Sequence, residues 1–167
     1  NSGKVIIYAD TREQASGVIM RLKDTDAVIR VKQLEVGDFV LSDDVVVERK
    51  TTEDFLSSVV DGRLFGQLVM MSSNYSAPLL ILEGNPQDLF TLRNIHENAI
   101  RGILASIALN YKIPILYAAD EDETAKYIYT IAKREQLGVE KEIRLRVGRK
   151  GLTLREQQQF LIEGFPL

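Results

Sequence analysis

The sequence predicts one α/β domain, an α/β/α sandwich around a mixed sheet. Three observations predict it. Buried-strand runs such as Lys4–Ala9 and Pro78–Glu83 alternate with segments whose apolar residues recur at helical spacing, as in layered α/β domains. The segments 28–34, 38–41 and 45–50 are strand-like but joined too tightly for parallel crossovers, so the sheet should contain an antiparallel meander. With 45% apolar side chains, 167 residues bury a core without staples. There is no cysteine, which removes disulfides and thiolate zinc sites together and favours a reducing compartment.

The elements follow in order. Lys4–Ala9 is a buried strand; Asp10 and Thr11 open a helix that carries Ala15, Val18, Ile19 and Leu22. Val28–Leu34 alternates as a half-exposed strand, Asp38–Leu41 is short, and the polar turn 42–44 leads into Val45–Lys50. Thr51 or Thr52 caps a helix with Phe55, Leu56, Val59 and Val60 on one face. Asp61-Gly62 interrupts it before a second helical piece with Leu64, Phe65 and Leu68. After the strand Pro78–Glu83 come the apolar helix Asn98–Tyr111, the strand Lys112–Ala118 and the helix Asp122–Gln136. Gly148–Gly151 reads as a joint before a last helix, Thr153–Glu163.

A net charge of −3 is not the footprint of a bulk nucleic-acid binder. Lys133–Arg155 nevertheless carries eight basic residues against three acidic ones, and a solvated tail is the plain reading of such a run. No signal peptide is present, and no apolar run approaches the roughly 18 residues of a spanning helix, so no membrane is expected as a partner.

The informative stretch is Val45–Phe55, VVVERKTTEDF, where a strand suited to burial finishes in three adjacent charges. If 38–41 and 45–50 form a hairpin around the three-residue turn, Leu41 pairs with Val45 and Asp38 falls opposite Glu48. Their Cβ atoms are then roughly 5 Å apart, an unfavourable placement for like charges. Something positive must stand between them. Lys50 is on the same face by strand alternation, and a divalent cation is the other neutraliser, since Mg²⁺ takes one or two carboxylates and keeps waters for a phosphate to replace. Two carboxylates and a lysine on one face make a workable phosphodiesterase site, which Asp10 is placed to join. A surface hairpin with a salt bridge at Lys50 is the plainer alternative, and the residues alone leave both open. Glu83, ending a strand beside Gly84, is a further acidic candidate; His96, the sole histidine, is expected to be structural or exposed.

Several segments together resemble one family. Gly37-Asp38-Phe39, then nine residues between Asp38 and Glu48, then Glu48-Arg49-Lys50 with Asp54, is similar to the G-D-Y…E-R-K-x-x-x-D signature of the XPF family of structure-specific endonucleases. Asp10-Thr11-Arg12-Glu13 resembles its D-x-R-E element and Asp61 to Gln67 its D-G-R-L-x-x-Q segment. Asn98 to Gly102 and Ala132 to Gln136 resemble above all the archaeal helicase-associated endonucleases called Hef. Phe39 stands where tyrosine is usual, keeping the ring without its hydroxyl. The resemblance runs from about residue 4 to 164.

It implies a restriction-endonuclease-like nuclease domain that uses Mg²⁺ or Mn²⁺ to cut branched DNA such as forks and flaps. On this chain Asp10, Asp38 and Glu48 would hold metal and Lys50 would serve the attacking water. Arg49 and Asp54 would complete the catalytic set, with Arg49 turned away from Glu48 and Lys50, either toward Asp54 or toward substrate. Arg12, Glu13, Arg63 and Gln67 would hold substrate. The family also implies a homodimer through Ile100, Ile103, Leu104 and Ile107 with Tyr127, Ile131 and Arg134. Leu161 to Pro166 reads as the start of a helix-hairpin-helix continuation, so a nuclease domain is expected over 1–147 and a linker and helix over 148–167, with helix-hairpin-helix and helicase modules elsewhere. The expected location is cytoplasmic and chromosome-associated, or nuclear in a eukaryote. Two further functions stand beside this one: a non-catalytic scaffold that binds forked DNA, against which the intact signature argues, and a Holliday-junction resolvase, which fits the Arg63 and Arg134 segments poorly.

Overall fold

The computed structural model describes residues 3–137. The expected joint and last helix over 148–167, and the basic run beyond Leu137, lie outside the described residues. Six strands form one mixed sheet: β1 (Ile6–Asp10), β2 (Val28–Lys32), β3 (Phe39–Val40), β4 (Val45–Thr51), β5 (Ala77–Glu83) and β6 (Ile115–Ala118), in the spatial order β2-β1-β3-β4-β5-β6. The helices are α1 (Gly17–Lys23), α2 (Thr52–Val60), α3 (Leu64–Asn74), α4 (Glu97–Leu109) and α5 (Glu121–Leu137).

β4 explains its three valines. It lies inside the sheet, antiparallel to β3 and parallel to β5, and both its faces are covered, which favours a continuous apolar run over alternation. Val45 and Val47 join Ile7, Ala9, Phe39 and Ile81 under α1 and α5. Val46 joins Leu80 and Leu82 under Phe55 and Leu56 of α2, Leu64 and Leu68 of α3, and Ile100 and Ile107 of α4. Each such side chain contributes about 1.5–3 kcal/mol when fully buried, so the two cores fix the level of β4 firmly.

The expected meander is only partly present. β3 and β4 are an antiparallel hairpin, but β2 pairs in parallel with β1, and β1 stands between β2 and β3. The short 3-10 turn Thr11–Ala15 and α1 form the crossover that makes the parallel pairing possible. The single helix expected after Asp10 is broken there, because Asp10 caps the 3-10 turn and Ser16 caps α1 anew. β2 stops at Lys32, and Leu34 N–H turns away from the ladder to the Asp10 carboxylate at 2.8 Å. β6 begins later than expected, after Lys112 in left-handed conformation (φ 55) and Pro114. His96 caps α4, its Nδ1 accepting from Asn98 N–H at 3.0 Å. At the end of α5, Gln136 Nε2 donates to the carbonyls of Ile6 and Leu41 at 2.8 and 2.7 Å, tying the helix to β1 and the β3 hairpin.

Gly37 sets the entry to β3. Its φ is +76, and a Cβ there would overlap the Val46 Cγ2 methyl in the core. Gly62, with φ +80, faces open space. A left-handed non-glycine residue costs about 1–2 kcal/mol. Gly62→Ala is therefore expected to lower stability by about that amount and Gly37→Ala by clearly more. Urea unfolding of the two variants checks the difference, and equal losses would contradict the packing at Val46.

Candidate active site

The charges that end β4 divide between the two faces of the sheet. Phe39 pairs with Val47 and Val40 with Val46; the ladder stops there, and Asp38, just before β3, donates its own N–H to the Val47 carbonyl at 2.8 Å, near enough to Glu48 for the two charges to repel. Both carboxylates are buried, at 8% exposure each, and Lys50 at 7%. Lys50 Nζ lies 3.5 Å from Glu48 Oε2. Asp38 Oδ2 accepts the Arg49 backbone N–H at 2.8 Å. Burial, and then the charge of Glu48, push the Asp38 carboxyl up to about 8 against the pull of that N–H. Burial raises Glu48 as well, while Lys50 draws it back.

Asp10, at the end of β1, is on the same face but its oxygens are committed. Oδ1 accepts from Leu34 N–H at 2.8 Å, and Oδ2 from Arg12 N–H at 3.1 Å and Arg12 Nε at 2.5 Å. Burial works against its charge most strongly, yet the Leu34 and Arg12 donors together outweigh it and hold the carboxyl below its usual range. Arg12 itself remains 70% exposed and feels the charges of Asp38 and Glu48 as well as Asp10. Asp10 thus holds an exposed cation at the rim of the carboxylate pair.

Arg49 points to the other face, as strand alternation requires, and enters a cage of acids. Nε and Nη2 donate to the two Glu83 oxygens at 2.8 and 2.6 Å, Nη1 to Glu13 Oε2 at 3.3 Å, and Nη2 lies 3.5 Å from Glu121 Oε2. Thr124 Oγ1 donates to Glu83 Oε1 at 2.7 Å. The partnership of Arg49 with Asp54 is therefore not formed; Asp54 is exposed in the first turn of α2, where its N–H is capped by Thr51 Oγ1. Glu83 is no fourth acid beside Asp38, since its carboxylate is across the sheet and held by Arg49 and Thr124. Glu13, expected toward substrate, is buried in the same cage, and burial raises its carboxyl more than Arg49 lowers it. The sequence carried one signal for this cage, the acid closing β5, but the parallel pairing of Thr51 with Glu83 is a long-range fact.

Other expected residues are spread more widely. Arg63 is exposed and paired with Asp61 at 3.2 Å. Gln67, one turn on, is half-buried, and its Oε1 is the one buried side-chain polar atom without a partner among the described residues. Of the expected dimer residues, Ile100 and Ile107 are wholly buried in the domain's own core, because the inner stripe of α4 faces the sheet. Ile103, Leu104, Tyr127 and Ile131 are half-buried and Arg134 is exposed. Phe39 is wholly buried among apolar side chains, an environment that suits a ring without a hydroxyl.

Among the described residues no three His, Cys, Asp or Glu side chains gather as a metal cage. The Asp38–Glu48 pair does fit a hard divalent cation, which needs only one or two carboxylates and keeps its remaining positions for water and phosphate. The pair's raised affinity for protons states the same need for positive charge.

A mixed sheet with two helices on one face and three on the other, and an acid–acid–lysine group at the strand ends, defines a domain of the restriction-endonuclease-like fold. Residues 9–131 match the ERCC4 domain, and the chain belongs to that family. It is 42% identical over 160 residues to a Methanocaldococcus jannaschii protein that carries the name of an ATP-dependent RNA helicase, covering 96% of this chain and 19% of that one. It is 37% identical over 164 residues to the 3'-flap repair endonuclease Xpf of Saccharolobus solfataricus, covering 96% of this chain and 69% of that one. XPF from Aeropyrum pernix, solved in complex with DNA, superposes with a TM-score of 0.71 at 31% identity, covering 97% of this chain and 74% of that chain. The chain thus spans about a fifth of the helicase-named relative. Among the described residues no helix is long and apolar enough to cross a membrane.

The raised carboxyls have a measurable consequence. With Asp38 at about 8 in the folded domain and about 3.9 in an unfolded chain, the folded state binds the extra proton throughout the interval between. Stability from this group is fully present below about pH 4 and lost as pH rises toward 8. Glu48, also raised, works in the same direction. In EDTA, Tm is expected to fall between pH 5 and 8, and Asp38→Asn to flatten that fall and stabilise the domain at pH 8. A wild-type Tm independent of pH in this window would contradict the burial of the pair.

Proposed function

We propose that this domain is a metal-dependent, structure-specific endonuclease that hydrolyses phosphodiester bonds in branched DNA such as forks and flaps. One observation carries the reading: two buried carboxylates, Asp38 and Glu48, stand side by side with Lys50 at 3.5 Å from Glu48. Family membership and the DNA-bound XPF neighbour support it. Mg²⁺ or Mn²⁺ held by Asp38 and Glu48 would polarise the scissile phosphate and lower the pKa of a bound water. Lys50 stabilises the charge that develops on the phosphate or orients the water. Asp10 is the third acid of the site and acts by holding Arg12, which meets the phosphate backbone. Arg49 keeps β4 in place from the other face, with Glu13. Asp54, Arg63 and Gln67 belong to the substrate side through the α2 and α3 surfaces. The domain works on the chromosome, in a longer protein whose helicase and helix-hairpin-helix modules lie outside it; the helicase name of one relative supports the first of these.

We propose also that two copies pair across the β6 edge. β6 is an edge strand with Tyr117 42% exposed, and it is flanked by α4 on one face of the sheet and α5 on the other. Ile103 and Leu104 of α4, with Tyr127, Ile131 and Arg134 of α5, then meet their counterparts about a two-fold axis, burying about 1,200 Å² or more.

Asp38→Asn and Glu48→Gln are each expected to abolish cleavage of forked DNA in Mg²⁺ or Mn²⁺ while the domain remains folded. Lys50→Ala should lower turnover by about 10²–10³ and weaken binding by no more than about one phosphate contact. Near wild-type cutting by either carboxylate variant would remove the site. Binding of forks without any cutting by the wild type would make the domain a scaffold. For the dimer, sedimentation of Tyr127→Glu and Leu104→Glu should give folded monomers, as neither position is central to the core. A wild-type domain that stays monomeric at high micromolar concentration would count against the pairing.

A further inference from the structure

We propose that Glu83 is a positioning residue for the metal-binding carboxylates, acting through Arg49 across the thickness of the sheet, with Thr124 fixing its orientation. The proposal rests on the metal reading given above. Glu83 cannot touch a cation at Asp38 and Glu48, because it projects from the opposite face. Any effect it has must be transmitted, and the contacts show a route.

Both oxygens of Glu83 are used. Oε1 accepts from Arg49 Nε at 2.8 Å and from Thr124 Oγ1 at 2.7 Å, and Oε2 from Arg49 Nη2 at 2.6 Å. This is the bidentate fork that fixes a guanidinium in direction as well as distance. With its side chain only 13% exposed, Arg49 has little freedom to swing out. The backbone of the same residue faces the other way in function. Its N–H donates to Asp38 Oδ2 at 2.8 Å, and its chain neighbours are Glu48 and Lys50. Holding the guanidinium therefore holds the peptide that orients one carboxylate and flanks the other.

The anchor is itself anchored in three elements. Thr124 belongs to α5, Glu83 to β5, and Glu13 to the turn after β1. Glu121, also in α5, is 3.5 Å from Arg49 Nη2 and accepts Gly17 N–H of α1 at 2.5 Å. A cluster with only a structural role would affect folding and leave the metal affinity of the folded protein alone. Outer partners that orient ligands instead change metal affinity by about 10–100-fold.

The test is Mn²⁺ binding to the DNA-free chain, followed by the electron paramagnetic resonance signal of free Mn²⁺. Folding is followed by circular dichroism and fork binding is measured in EDTA. Glu83→Gln is expected to weaken Mn²⁺ binding about 10–100-fold with fork binding in EDTA unchanged. Thr124→Val, which keeps every charge, should weaken it between about twofold and tenfold, the worth of one hydrogen bond, and Thr124→Ser should restore it. Wild-type Mn²⁺ affinity in folded Glu83→Gln overturns the proposal. If that variant does not fold, the pair Arg49→Met/Glu83→Gln removes the Arg49–Glu83 ion pair, leaving Glu13 and Glu121 as the acids of the cage, and Thr124→Val removes no charge; wild-type affinity in both overturns the proposal, and weakened affinity supports it. If Asp38→Asn binds Mn²⁺ as the wild type does, the metal reading fails and takes this inference with it, a result distinct from Glu83→Gln alone matching the wild type.

Discussion

Asp38, at the entrance to β3, and Glu48 of the adjacent antiparallel β4 are both buried, with little water to separate their charges, and the core packing beneath them holds that placement. In solvent the repulsion would be relieved by a rotamer change. Here Phe39 and Val47, the next pair inward, are wholly buried, so the strands cannot slide apart or turn without opening the core. A one-residue slip would move every side chain of β4 to the wrong layer. Apolar packing thus works as the clamp on an electrostatically unfavourable pair, whose raised carboxyls favour a positive charge nearby.

The sheet also separates two kinds of charge chemistry. On one face Asp10, Asp38, Glu48 and Lys50 are arranged around a deficit of positive charge. On the other, Arg49 sits among Glu13, Glu83 and Glu121 with its hydrogen bonds formed. One strand can serve both because its backbone alternates direction every residue. The adjacency of Glu48, Arg49 and Lys50 in sequence is therefore not an adjacency in space. Glu48 and Lys50 face one side of the sheet together, and Arg49 is held by acids on the other.

That distinction marks how far the sequence could be read. Turn length sets the hairpin register, and the pairs Val40–Val46 and Phe39–Val47 follow it; Asp38 lies one residue before the ladder begins, yet close enough to Glu48 for their charges to interact. Alternation placed Lys50 with them and Arg49 away. The partners of Arg49 were not legible, because Asp54 is close in the chain whereas Glu83 reaches it only through the parallel pairing of β4 with β5. The insertion of β1 between β2 and β3 escaped for the same reason: a 3-10 turn followed by a seven-residue helix is short for a crossover and has a weak periodic signal. On α4 the apolar stripe was read correctly as extensive, but pattern alone does not divide a helix's inner row, Ile100 and Ile107, from its flanks.

The two edges of the sheet are unlike. β2 ends the sheet on one side with Arg30 and Lys32 exposed, and cationic side chains on an edge discourage another strand from docking there. β6 ends it on the other with four residues and an exposed tyrosine. Growth of a chain of domains would need one edge to accept the other, head to tail, without limit. If only the β6 edge is receptive, a contact through it would use it up, and a pair formed there would leave, among the described residues, no second receptive edge on which a filament could extend.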